Sequence, residues 1–181
     1  MFLLLSALMT ASCQPPQPKS VSGAENVVAG PLQGRTGAHL TLGGPASRVR
    51  IVLAGLPGLL YRISTPAGSG LTPRVTGRGG WIRAALHPTG ADGPDEVRIV
   101  LNRDVRWDIR LPAGAGEQQL DLTRGRVTRL ELGVSGLIEL RLPRPAGTVP
   151  VTLLGAVGVV TLSVGSGTPT RFRLAEGAGS T

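Results

Sequence analysis

His39 and His87 are the only histidines in a chain of 181 residues, and Cys13 is its only cysteine. A general base, a nucleophile relay or a metal centre needs imidazole close to a carboxylate, a thiol or a second imidazole. Neither histidine has such a neighbour at ligand spacing, and His87, followed by Pro88, reads as a solvated loop residue. The densest carboxylate group, Asp92, Asp95 and Glu96 in Asp-Gly-Pro-Asp-Glu, offers oxygens of the kind calcium takes, but its spacing matches no ion loop and it reads as a turn. No serine sits in a Gly-x-Ser-x-Gly elbow ahead of a helix. Gly77-Arg78-Gly79-Gly80 is too short to cradle a phosphate and leads into the strand-like Trp81-Ile82-Arg83, so it also reads as a turn. This inventory predicts no catalytic residue, no metal ligand and no cofactor.

The elements expected to carry the remaining polar side chains are strands. Ser47 to Leu53 alternates with period two, placing Val49, Ile51 and Leu53 on one face and Arg48 and Arg50 on the other. Val105 to Leu111 repeats the pattern, with Val105, Trp107, Ile109 and Leu111 opposed to Arg106, Asp108 and Arg110. Similar runs follow at 97–101, 118–122, 128–132, 138–142, 149–153, 160–164 and 171–174. Pro-Ala-Gly at 66–68, 112–114 and 145–147 punctuates them, because proline presets φ and glycine accepts positive φ. No stretch keeps a helical period with caps, so the chain is expected to be all-β.

Spacing then gives an architecture. Gly133 and Gly136 recur as Gly155 and Gly158, an offset of 22 residues, and Gly177-Ala178-Gly179-Ser180 starts a third copy at the same interval. The inward positions Leu122, Leu132, Leu142, Leu153, Leu162 and Leu174 advance by steps of 9 to 12 residues, so two strands with their turns make one period. Such regularity predicts a β-solenoid-like stack of short strands, with a β-sandwich as the alternative. The stack is expected over 95–181, after an irregular β-rich part over 32–94, with the polar loop 86–95 as the subdomain boundary.

Residues quoted above carry a resemblance. Trp107 in its alternating strand, the turn at Gly114-Ala115-Gly116, Leu130-Glu131-Leu132-Gly133 and the Gly-x-x-Gly-strand units resemble the toast-rack type of bacterial β-solenoid domain, which is similar to the "putative-adhesin" domains of cell-envelope proteins. The resemblance covers about residues 95 to 181 and implies an extracytoplasmic structural or interaction role. At the front, the apolar run Phe2 to Met9 is too short to span a bilayer and suits a secretion signal. It has no basic residue before it, so the true start is expected upstream. Thr10-Ala11-Ser12-Cys13 resembles a bacterial lipobox, which implies a signal peptide over 1–12 and lipid attachment at Cys13; a free thiol in an ordinary cleaved signal is the alternative. The Pro-rich stretch that follows suits a disordered tether over 13–31.

A net charge of +8 rests almost wholly on arginine, with Lys19 the single lysine. Beside abundant Gly, Ala, Val, Leu and Pro, this is what a GC-rich coding sequence produces. Aromatics make up 3% of residues and fall mostly on the inward register, so platforms for stacking sugars or bases are expected to be nearly absent and nucleic acid is not an expected partner. Outward pairs such as Arg129/Glu131 and Glu139/Arg141 are expected to neutralise each other across neighbouring strands. Two functions follow. The first is a non-catalytic, membrane-tethered envelope scaffold or protein-interaction module. The second is a binder of anionic envelope polymer or carbohydrate through Arg48, Arg50, Arg98, Arg106, Arg110, Arg171 and Arg173. A continuous arginine patch would favour the second, and interleaving with acids would count against it.

Overall fold

The structure is a computed structural model that describes residues 24–144 and 146–171. The expected signal, Cys13, the greater part of the tether, Arg173, Leu174 and the third glycine copy lie outside the described residues.

Thirteen strands and no helix form two mixed sheets among the described residues, so the class is all-β. In spatial order the seven-stranded sheet holds β1 (Asn26–Pro31), β4 (Leu59–Thr65), β7 (Glu96–Asn102), β3 (Arg48–Ala54), β9 (Ala115–Asp121), β11 (Ser135–Arg141) and β13 (Val157–Ser163). The six-stranded sheet holds β12 (Val151–Leu153), β10 (Arg126–Leu132), β8 (Arg106–Leu111), β2 (Gly37–Gly43), β6 (Trp81–Pro88) and β5 (Leu71–Arg78). The pairs β2–β3, β6–β7, β8–β9, β10–β11 and β12–β13 each put one strand in each sheet, and wherever two of these strands are neighbours they run parallel. Antiparallel pairing is confined to β1–β4–β7 and β5–β6.

The period read from the glycines is the sheet register. Leu140 lies opposite Leu120 on one side and Leu162 on the other, and Leu130 lies opposite Ile109 and Val151. The repeated glycines mark close approach of backbones. A Cβ on Gly158 would lie 2.5 Å from the Gly136 carbonyl oxygen, and one on Gly136 would lie 3.1 Å from that of Gly116. A Cβ would collide with backbone at Gly158 and crowd it at Gly136.

The apolar faces predicted by alternation close on one another as a single core. Val49, Ile51 and Leu53 are fully buried with Ile99, Leu101, Trp107, Ile109, Leu122 and Leu132. At about 25 cal/mol per Å² of apolar surface, such burial is the main force holding the sheets together. Buried polar groups are tied to backbone. Trp107 donates Nε1–H to the Asn102 carbonyl at 2.9 Å, and the Asn102 amide donates to the Leu56 and Leu59 carbonyls at 2.9 and 2.8 Å.

Several expectations change. Asn26–Pro31, assigned to the tether, pairs with β4 as a strand. The loop at 86–95 separates no core, because β2–β3 sits between β6–β7 and β8–β9 in both sheets. Leu153, expected inward, is 42% exposed, since β12 is the outermost described strand of its sheet and no described strand pairs with its far side.

Candidate functional site

The outward face of the six-stranded sheet gathers the side chains with most binding chemistry. Register places Arg78, Trp81, His39 and Asp108 in one row across β5, β6, β2 and β8. Thr76, Arg83, Thr41 and Arg110 form the next, with Glu131 of β10 beyond. Arg74 lies one step further along β5, opposite Ala85. Alternation sends Ile82 and Ala84 of β6 into the core and therefore Trp81 and Arg83 outward.

Trp81 is 57% exposed, an exception to the expected inward register, which Trp107, fully buried, and Tyr61, packed against the core, follow. The imidazole of His39 stacks on the indole, ring centroids 3.8 Å apart and planes 5° from parallel. On its other side His39 Nδ1 lies 3.4 Å from Asp108 Oδ2. Asp108 takes both Nε and Nη2 of Arg110 at 3.1 Å, a fork that fixes its plane. Burial pushes the Asp108 carboxyl upward, but Arg110 and His39 together outweigh it and hold the group below its ordinary value.

Charge is divided unequally over this face. Toward β10 two cations are paired, since Arg110 also lies 3.7 Å from Glu131 and Arg129 lies 3.8 Å from the same carboxylate, while Arg106 and Arg126 face each other without an acid. On β5 and β6 there is no carboxylate at all, and Arg74, Arg78 and Arg83 are exposed with no ion pair among the described residues. Sequence reasoning missed these three: Arg74 and Arg78 fall in the part over 32–94 read as irregular, and Arg83 entered only within the strand-like Trp81-Ile82-Arg83. The Gly79-Gly80 signal was present, and it makes the β5–β6 hairpin turn with both residues at positive φ.

The seven-stranded sheet differs. Arg48 bridges Glu96 at 2.7 Å and Glu117 at 2.6 Å, a row that alternates sign across β7, β3 and β9. Glu117 is held below its ordinary value chiefly by the hydrogen bond from Arg48. Arg50 donates to the Gln119 side chain at 3.0 Å. Of the arginines singled out from sequence, Arg48 and Arg110 pair with acids and Arg50 with an amide, whereas Arg98 lies opposite Arg50 and Arg106 opposite Arg126, with no ion pair among the described residues. The expected pairing of Arg129/Glu131 with Glu139/Arg141 does not occur, because β10 and β11 lie in different sheets.

The other candidates stay apart. His87 is exposed at the far end of β6 opposite Thr72. Asp92 and Asp95 are exposed between β6 and β7, while Glu96 opens β7 and is tied to Arg48.

No family model matches the chain, and no curated protein sequence matches it. The fold is similar to that in the crystal structure of a "putative cell adhesion protein" from Clostridium sporogenes, with a TM-score of 0.50 at 12% identity over 78% of this chain and 98% of that one.

Proposed function

We propose that the protein is a non-catalytic interaction module of the cell envelope, anchored through Cys13 on the outer side of the membrane, whose partner meets the outer face of the six-stranded sheet. The observation that carries this reading is the open end of the row Arg78–Trp81–His39–Asp108: an exposed aromatic with cations unpaired among the described residues, held on paired strands. Ordered strands hold such groups in place at little entropic cost on binding. Similarity in fold to a structure described as that of a cell adhesion protein supports the surface role, and the lipobox-like Thr10-Ala11-Ser12-Cys13 supports the anchor.

The test is cell fractionation combined with crosslinking from chosen positions. Cys13→Ala should move the protein from the membrane to the soluble fraction. A photo-crosslinker at Thr76 should capture an envelope component in intact cells, whereas one at Arg141 on the other sheet should not. Unchanged fractionation overturns the anchor, and equal capture from both faces overturns the assignment of the binding face.

A further inference from the structure

We infer that the outer surface of β5, β6 and β2, with Trp81 flanked by Arg74, Arg78 and Arg83, is a binding site for an acidic polysaccharide. This rests on the proposed interaction face and names the chemistry of its partner.

Three features select that chemistry. First, the charge is uncompensated: β5 and β6 contribute three exposed arginines and no acid, so a polyanion gains contacts without breaking internal ion pairs. Arg74 and Arg78 are four residues apart on one strand face, about 13 Å at 3.3 Å per residue, so they reach different units of an extended chain. Planar guanidinium forks suit carboxylates in particular. Second, His39 covers one face of the indole and holds it upright, while 57% of Trp81 stays open to receive the apolar face of a sugar ring. Third, Trp81 is the exposed aromatic described on this face, a platform for a single ring. Single-stranded nucleic acid stacks successive bases on several aromatics, and this face exposes one tryptophan.

The experiment is titration of the full-length chain with polygalacturonate, neutral dextran and poly-dT at low and moderate salt. Polygalacturonate should bind, more weakly as salt rises, and dextran should not. The double variant Arg78→Ala/Arg83→Ala should weaken binding about tenfold or more, the loss expected when two charge-assisted contacts are removed. Trp81→Ala should weaken it several-fold, with folding checked by thermal melting. Arg50→Ala/Arg98→Ala on the other sheet removes the same charge and should have little effect. Equal losses from the two double variants would overturn the site in favour of net charge. Equal binding of dextran would overturn the acidic component, and tighter binding of poly-dT with the same variant dependence would make the face a nucleic-acid site. If polygalacturonate fails to bind while Thr76 still captures an envelope protein and Cys13 still governs fractionation, the sugar assignment falls and the module reading stands. Loss of all three signals removes both.

Discussion

His39 and Trp81 stack face to face across neighbouring parallel strands, 3.8 Å apart at 5°. The contact turns an exposed indole into a fixed wall, because rotation of Trp81 about its side-chain bonds would separate the rings. His39→Ala should leave the fold intact, since the pair lies on the outer face. It should broaden the orientations of Trp81, read as a drop in tryptophan fluorescence anisotropy in a Trp107→Phe background. Unchanged anisotropy would show that the sheet alone fixes the indole.

Asp108 ties acid stability to this face. Its carboxyl is held below the ordinary value of 3.8 in the folded chain, with burial opposing and Arg110 and His39 outweighing it. A depressed folded value means a contribution present above the unfolded value and lost as pH falls through the folded one. Denaturant midpoints should therefore decline below about pH 4, and Asp108→Asn should flatten part of that decline while lowering stability at neutral pH. An identical pH profile in the variant would assign the acid sensitivity elsewhere.

Ile138 and Val160 face each other in β11 and β13, yet Ile138 is fully buried and Val160 is 45% exposed. Ile138→Ala should cost about 2–5 kcal/mol, as large-to-small changes in a packed core do. Val160→Ala should cost less than about 1 kcal/mol, because half of its surface already meets solvent. Equilibrium denaturation of both variants measures the contrast.

Asn102 holds the β3–β4 connection through two donated bonds to the Leu56 and Leu59 carbonyls, and its own carbonyl accepts from Trp107. Asn102→Ala should destabilise by about 1–3 kcal/mol for the acceptors left unpaired. Faster amide exchange around Leu59 should accompany the loss. A global loss without local change would place the role of Asn102 in packing alone.

The glycine column makes a sharper test of geometry. Gly158→Ala puts a Cβ 2.5 Å from the Gly136 carbonyl and should destabilise by more than about 1 kcal/mol. Gly147→Ala meets nothing within 4 Å and should be neutral or slightly stabilising. Similar melting temperatures for the two would contradict the close approach of β11 and β13.

Alternation along Ser47 to Leu53 and Val105 to Leu111 determined the all-β class and the inward faces, because a period of two leaves a strand one way to bury its aliphatic set. The recurring glycines determined the spacing of strands, since a repeat that stacks in parallel shows the same offset in sequence and in register. Tertiary structure alone decided which strands became neighbours. Arg129 and Glu139 are close in sequence but lie in different sheets, whereas Trp81, His39 and Asp108 meet because β2 enters the sheet between β6 and β8. Arg110 and Arg129 have acids two residues away on their own strands, but the pairing of Arg48 with Glu96 and Glu117 follows from that order alone. Long-range pairing sets which charges sit about 5 Å apart across strands, and it left Arg74, Arg78 and Arg83 on the side without acids.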